Sequence, residues 1–514
     1  PSYLLNYRYS TLELMHELGF STGTGTAIPE YQDLTFFLYI PGTRAGRFKI
    51  FGLMGKSFIA LGHNEADTAN NSYSARGTTT DFGSALMVTG LSHTYFFNEK
   101  SRLKTTIAYQ ETSATTKIDS LKDFEFYIPY FRSIQTEDRF SAKTEFRYKF
   151  DPGKNISIGI VGDLYKLNFA DSVQDYDRDF FRILADDKGE LGLYRSYAQY
   201  QHKFPNRTVA YAGMHFQYTD LNKELSAEPR LGLKIPVGIK GKFNLGFGVH
   251  SQLQPKSTYF NKSYLESTNS YILTNEDLGY TKSNHYIAGY DHQFGNLFRL
   301  KLESYYQHLY NVPVKESFPE FSMLNAGDQF ELPRQDSLVN EGKGKNYGLE
   351  LTLEKFLNKG YYFLFTASLF ESEYQGYDGK WRNTAFNGNY VFNILGGYEF
   401  NIGEKNMFTI DLKTVLAGGK RILPIDKEES LKENTTVFDW ENAYNDKYDP
   451  FFRTNLRIGF KRNGRKVSQE WAVDLQNISN YQSIFMEGFD TETGEIYEVY
   501  QQGFVPMFLY RIRF

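Results

Sequence analysis

Apolar and charged side chains alternate along this chain with a period of two, and this pattern constrains the fold more than any other feature. From Phe140 to Phe150 the even-numbered positions are mostly aromatic, whereas Lys143, Glu145, Arg147 and Lys149 occupy odd-numbered positions. Successive side chains of a β-strand point to opposite faces, so the segment predicts a strand with one apolar and one charged face. The same alternation occurs at residues 298–302, 347–353, 452–460 and 504–514.

Segments of this kind recur from one end of the chain to the other and predict about twenty antiparallel strands. We place these strands at residues 2–10, 31–40, 47–60, 81–98, 101–115, 136–150, 155–170, 191–204, 207–220, 224–236, 241–254, 284–294, 297–310, 345–358, 361–375, 386–402, 406–422, 448–462, 466–483 and 503–514.

The connections between these segments alternate between tight turns and long loops. The tight turns are rich in Gly, Asn, Asp and Pro, which suit turns that need a positive or preset φ. The long loops are expected at residues 11–30, 61–80, 116–135, 171–190, 255–283, 311–344, 423–447 and 484–502, with shorter ones at 221–223 and 376–385. Short turns at one rim and long loops at the other are typical of transmembrane β-barrels.

The charged face indicates a water-filled lumen. Lys143 or Arg147 turned toward hydrocarbon would cost about 2–4 kcal/mol near the bilayer midplane, and the same charges cannot pack a dry interior unpaired. We therefore predict an all-β fold: one transmembrane antiparallel barrel domain over residues 1–514, with apolar side chains toward lipid. A soluble multi-domain β-sandwich protein is the alternative, and the persistence of the alternation over the whole chain disfavours it.

Composition excludes several other classes. The chain is rich in Phe and Tyr, with 45 and 40 residues, but no apolar run approaches the 18 or so residues of a membrane-spanning helix. The sequence therefore gives no sign of a helical membrane protein. The absence of cysteine excludes disulfides and thiolate metal sites, and a net charge of −4 without a basic stripe gives no sign of nucleic-acid binding. The first residues lack a signal peptide, so we expect an exported form to have lost one.

The motifs that could carry chemistry are weak. Asp175, Asp177, Asp179 and Asp186 have the spacing of a calcium loop, but Phe180 occupies the sixth position, where a sharp turn needs glycine. A solvated acidic loop is the favoured interpretation. The histidines show no metal-ligand spacing, and no serine lies in a nucleophile elbow. We therefore predict no catalytic residue, no metal ligand and no cofactor.

Aromatic residues cluster in two of the predicted loops. These clusters lie at Phe124–Phe131 and Phe318–Phe321, and they could stack on a ligand at the cell surface. An aromatic girdle at the outer interface, or packing between loops, is the favoured alternative. The ligand-binding residues themselves stay unassigned.

Several stretches resemble the barrel of TonB-dependent receptors of the Bacteroidetes type, which carry a carboxypeptidase-regulatory-like N-terminal domain. These stretches are Ser2–Met15, Ile28–Gly55, Lys345–Leu357, Asp378–Phe400, Glu441–Asn463, Trp471–Phe485 and the C-terminal strand. The resemblance implies a 22-strand barrel in the bacterial outer membrane, filled by a plug and energised through a TonB box. The plug and two first strands would lie outside this chain, leaving the strands at 2–10 and 503–514 with unpaired edges.

The resemblance also implies partners and an assembly signal. The pattern Phe508, Tyr510, Ile512 and Phe514 is similar to the signal read by the barrel-assembly machinery. Expected partners are outer-membrane lipids, the TonB complex, the plug domain and a surface lipoprotein.

The function that the resemblance implies is TonB-dependent active import of a solute that the sequence does not identify. We expect Arg147, Arg457 and Lys461 to line the lumen. The alternative is a barrel subunit or scaffold without transport. A passive porin is disfavoured, because a barrel this wide would leak without a plug.

Overall fold

The computed structural model describes residues 1–10, 29–61, 78–122, 126–175, 180–265, 267–268, 270–328, 334–433, 435–490 and 493–514. The strands, in chain order, are β1 (Ser2–Tyr9), β2 (Glu30–Thr43), β3 (Gly46–Leu61), β4 (Thr78–Phe96), β5 (Ser101–Lys122), β6 (Phe126–Asp151), β7 (Lys154–Asp175), β8 (Phe180–Lys203), β9 (Val209–Thr219), β10 (Leu225–Val237), β11 (Gly241–Gln252), β12 (Lys262–Leu265), β13 (Ser270–Leu273), β14 (Thr281–Phe294), β15 (Phe298–Lys315), β16 (Phe318–Ser322), β17 (Leu338–Asn358), β18 (Tyr361–Gln375), β19 (Trp381–Asn383), β20 (Tyr390–Ile402), β21 (Asn406–Ala417), β22 (Phe451–Asn463), β23 (Ser468–Gln476), β24 (Ile484–Asp490), β25 (Glu495–Tyr500) and β26 (Val505–Arg513). The helices are α1 (Lys256–Tyr259) and α2 (Lys427–Glu433), with a 3-10 turn at Met323–Asn325.

One antiparallel sheet of 22 strands forms the wall of the molecule. Two of these strands, β16 and β19, are short arms that pair beside β15 and β18. The other strands pair as a continuous meander, in which each follows its neighbour in the chain through a short turn or a long loop. This meander confirms the predicted antiparallel barrel of about twenty strands.

The two ends of the meander are open edges. Among the described residues β1 pairs with β2 alone, and β26 pairs with β23 alone. The resemblance implies 22 wall strands in a complete barrel. The sheet of the described residues also has 22 strands, but two of them are the loop arms β16 and β19, so 20 belong to the wall. Backbone groups along the outer edges of β1 and β26 have no strand partner in this sheet.

The two faces of the wall differ as the alternation predicts. On β7, Leu164 is 52% exposed on the outer face, whereas the neighbouring Asp163 is completely buried on the inner face. The inner face is identified by contacts that cross the lumen: Lys256 of α1 donates to the carboxylate of Glu137 on β6 at 3.0 Å. Apolar side chains therefore point toward lipid, and ionic side chains border the lumen.

The described extracellular segments between β11 and β17 fold inward over the lumen. Tyr259 of α1 and the following Phe260 pack with Leu167 and Leu191, which lie on the inner faces of β7 and β8. Removing a side chain of this size from water contributes about 1.5–3 kcal/mol. Asn275 ties these loops together, since its amide donates to the carbonyl oxygens of Thr258 and Gln335. The cluster thus fixes these segments against the inner faces of β7 and β8.

Two predicted loops are wrong in extent. The segments 116–135 and 171–190 are largely strand, because β5 to β8 continue in register far beyond the membrane, with pairs such as Ile118↔Phe131 and Leu167↔Gly189. Pro129, which is unusual inside a strand, and a register shift beside it interrupt the expected alternation. Hairpins surrounded by water need no apolar face, so their composition resembles that of loops.

The calcium-like pattern gains no support. Asp177 and Asp179 lie outside the described residues, and Asp186 lies in β8 opposite Ala170. In the described part of the chain, no group of three or more His, Asp or Glu side chains is arranged to hold a metal ion. No helix in the same part is both long enough and apolar enough to span a membrane.

Candidate functional site

A cavity of about 470 Å³ lies among the extracellular loops, and seven of its lining residues are aromatic. Its volume falls within the range of about 300–1,000 Å³ that is usual for small-molecule sites. The aromatic residues of its lining are Tyr130, Phe131, Phe318, Phe321, Phe438, Trp440 and Tyr444. These residues come from three separate regions of the chain, which the folded loops bring together.

Strand β16 supplies Phe318 and Phe321. It is fixed against the end of β18 by two hydrogen bonds: the Tyr374 hydroxyl donates to the Glu320 carbonyl oxygen at 3.0 Å, and the Tyr377 amide donates to that of Pro319 at 2.9 Å. Gly376 permits this approach, because a Cβ there would clash with the Pro319 carbonyl oxygen.

The loop between β21 and β22 supplies the second wall. The guanidinium of Arg421 fastens this loop by donating to the backbone oxygens of Asn387 at 3.0 Å and Asn445 at 2.8 Å. The loop presents Trp440, whose ring meets Phe318 edge-on with 4.8 Å between centroids. Edge-to-face pairs of this kind contribute about 0.5–1.5 kcal/mol beyond area burial, so the two walls support each other.

Polar groups stand at both ends of the cavity. The Tyr444 hydroxyl donates to Asp328 at 2.8 Å, and burial, together with this carboxylate, raises the pKa of Tyr444 above its usual range. The hydroxyl of Tyr444 therefore stays protonated at physiological pH and remains a donor to Asp328. At the other end, Arg334 pairs with Asp171 at 2.8 Å and lies over the ring of Phe131.

This arrangement is suited to binding. Aromatic faces offer stacking and apolar contact, and a carboxylate and a guanidinium offer directional hydrogen bonds. Asp328 and Arg334 are already held by Tyr444 and Asp171, so both side chains are oriented before a ligand enters.

A second cavity, of about 630 Å³, lies on the lumenal side of the 3-10 turn Met323–Asn325. Glu303, Tyr305, Glu350 and Phe370 line its wall. Leu324 also lines this cavity, whereas the adjacent Asn325 lines the outer one. The 3-10 turn thus separates the outer cavity from the lumen.

A carboxylate beside the β12–β13 hairpin gives a pH prediction. Lys315 and Ser263 both donate to Asp336, at 2.5 and 2.7 Å, and these bonds lower its pKa. The folded pKa lies below the unfolded value of about 4, so the stabilisation is present above that value and is lost as pH falls through the folded pKa. We expect acid to reduce amide protection in β12 and β13, measured by hydrogen exchange after correction for intrinsic rates.

The variant Asp336→Asn is the control for that experiment. It should show weaker protection of the hairpin at neutral pH and little further loss on acidification. An unchanged acid response in this variant would place the pH sensitivity elsewhere.

The residues singled out in the sequence are distributed as follows. Phe508, Tyr510 and Ile512 share the outer face of β26, while Arg511 on the inner face pairs with Glu470 at 3.2 Å. Phe514 follows the last residue of the strand. The alternation of this strand is confirmed, and its role as an assembly signal stays a prediction.

The aromatic loop residues are only partly those expected. Phe318, Phe321, Tyr130 and Phe131 meet at the outer cavity, whereas Phe124 lies outside the described residues. The sequence did not single out the aromatic cluster between Phe438 and Tyr444, or the partners Asp328 and Arg334. Two aromatic residues inside a polar loop, Phe438 and Trp440, were the available signal.

Solved structures similar to this chain are outer-membrane receptors and transporters. The ferric-catecholate import receptor Fiu from E. coli K12 matches 99% of this chain and 77% of its own length, with a TM-score of 0.68 and 10% identity. The ferric yersiniabactin uptake receptor FyuA from Yersinia pestis matches 100% of this chain and 74% of its own, with a TM-score of 0.65 and 10% identity. The copper transporter OprC matches 99% and 74%, with a TM-score of 0.66 and 11% identity.

No protein-family model and no curated protein matches the sequence. At 10–11% identity the structural likeness concerns the fold. The chain therefore has the fold of an outer-membrane β-barrel receptor.

Proposed function

We propose that this barrel takes part in TonB-dependent active import of a solute across the bacterial outer membrane. The observation that carries the proposal is the outer aromatic cavity, which is held by inward-folded loops directly above a wide, charged lumen. The similar structures named above are importers of ferric siderophores and a copper transporter, which supports transport as the general activity. In this function the aromatic residues of the outer cavity make the first contact with the solute.

The path from this cavity leads past the 3-10 turn into the lumenal cavity. Leu324 packs between the two apolar clusters of the loops, so displacement of this turn would join the two spaces. A permanently open route would leave the wide lumen unsealed. The turn must therefore be displaced for each solute, and this displacement needs a source of energy.

Import of this kind requires other protein domains and complexes besides the barrel wall. A plug would fill the lumen, the TonB complex would supply energy, and the barrel-assembly machinery would read the outward aromatic residues of β26. The open edges of β1 and β26 support additional strands that close the wall, since each unsatisfied backbone group in lipid costs several kcal/mol.

The experiment compares solute depletion from a defined medium by cells that express the receptor, cells that lack it and cells that lack TonB. We expect mass spectrometry to find at least one solute that disappears only when both receptor and TonB are present. Equal depletion profiles in the three strains, at matched receptor levels, would contradict import.

A scaffold role is the second candidate, and the β12–β13 hairpin favours it. Tyr271 is 54% exposed, and Leu265, Ile272 and Leu273 are also exposed on this extracellular hairpin. A surface lipoprotein seated there would copurify with the receptor and would be lost from a variant with polar residues at these four positions. Stable copurification together with unchanged depletion profiles would favour the scaffold.

A further inference from the structure

A cavity of about 450 Å³ at the periplasmic rim of the lumen is lined by an excess of basic side chains. Its cations are those of Lys100, Arg102, Arg147 and Lys149. Glu99 is the one carboxylate of the lining within the described residues. The cavity lies beside the turns that join β4 to β5 and β6 to β7, on the opposite rim from the aromatic cavity.

The strand register places two of these cations against each other. Arg102 on β5 lies directly opposite Arg147 on β6, and both project into the lumen. Like charges directly opposite each other destabilise a sheet. The next lumenal pair along the same strands, Lys104 and Glu145, shows the ordinary complementary arrangement.

Two other lumenal arginines have carboxylate partners. Arg139 pairs with Asp163 at 2.9 Å, and Arg457 lies between Glu470 and Asp474. Over the described ranges, by contrast, no cation of the rim cavity forms an ion pair, and Arg147 donates only to the amide oxygen of Asn155, at 3.4 Å. The repulsion between Arg102 and Arg147 is thus uncompensated by this part of the chain.

We infer that this cavity is an anion-binding site, which takes a phosphate, sulfate or carboxylate group between Arg102 and Arg147. Guanidinium groups bind such oxyanions in a bidentate manner. The amides of Asn155 and Gln201 line the same space and can donate further hydrogen bonds. The oxyanion belongs either to a solute that leaves the barrel or to an acidic side chain of a protein domain seated in the lumen.

Thermal unfolding of the full-length purified protein tests the site. Sodium tripolyphosphate is the probe, titrated against sodium chloride at equal ionic strength, and intrinsic fluorescence reports the melting temperature. We expect saturable stabilisation, with an apparent Kd that rises about tenfold in Arg147→Gln or Lys149→Gln, because each loses a charge-assisted hydrogen bond. Lys405→Gln, at an exposed periplasmic turn outside the cavity, is the matched control and should bind like the wild type.

Arg102→Gln separates the two sources of the oxyanion. If the site is open to solutes, this variant melts at a higher temperature than the wild type without tripolyphosphate, because the repulsion is relieved. If an acidic side chain already fills the site, the same variant melts at a lower temperature, and tripolyphosphate does not bind to the wild type. Equal tripolyphosphate affinity in Arg147→Gln and Lys405→Gln, with no change of melting temperature in Arg102→Gln, would overturn the inference.

Discussion

Replacing Asp163 by alanine is expected to lower the free energy of unfolding of the barrel by about 3 kcal/mol. Its side chain is completely buried and accepts hydrogen bonds from Ser141 at 2.5 Å, from Arg139 at 3.0 and 2.9 Å, and from Arg195. The variant leaves two guanidinium groups side by side without a counterion. Breaking a buried ion pair usually costs about 3–5 kcal/mol, and we expect the lower end because both arginines are about 30% exposed.

The matched control is Asp474→Ala. Asp474 pairs with Arg457 at 3.3 Å, but both side chains are partly exposed, and Arg457 keeps Glu470 as a second partner. Its loss should therefore cost less than about 1 kcal/mol. Urea unfolding of the purified protein, followed by tryptophan fluorescence, measures both values. Equal losses in the two variants would show that burial of Asp163 adds nothing to its network.

Trp440→Ala or Phe318→Ala is expected to weaken solute binding about 30-fold, which corresponds to about 2 kcal/mol. Each substitution removes one ring of the edge-to-face pair between the two walls of the outer cavity. The lost ring area and the looser walls should both reduce affinity for the solute identified by depletion from the medium. The measurement is the concentration dependence of its uptake, at receptor levels matched by immunoblotting.

Trp381→Ala is the control for these substitutions. Trp381 lies at the same rim and is 41% exposed, and the ammonium of Lys345 lies 4.2 Å from the centroid of its ring, but Trp381 does not line the cavity. Uptake by this variant should follow the wild-type curve. If all three variants behave alike, the solute makes its first contact somewhere other than the cavity.

The alternation of side chains was sufficient to predict the wall of the barrel. The segment from Phe140 to Phe150 specifies which residues share a face, because successive side chains of a strand point in opposite directions. The cost of placing Lys143 or Arg147 in hydrocarbon then decides which face meets lipid. These local rules apply to each strand alone, and the register of β5, β6 and β7 agrees with them.

The same rules failed where strands leave the membrane. Asp186, Asp187 and Gly189 resemble a loop, yet they pair with β7, because hairpins in water can be polar on both faces. The pairing of these residues depends on the neighbouring strand. The pattern within one segment carries no information about that strand.

The alternation of side chains is enough to specify the wall of the barrel, because the bilayer and the pleat act on every strand separately. The two cavities, by contrast, arise from contacts between distant parts of the chain. Phe131, Phe318 and Trp440 are far apart in the chain and meet through the folding of three loops, and Arg102 faces Arg147 through the register of two strands. Contacts of this kind depend on chain path and register, which no local repeat encodes.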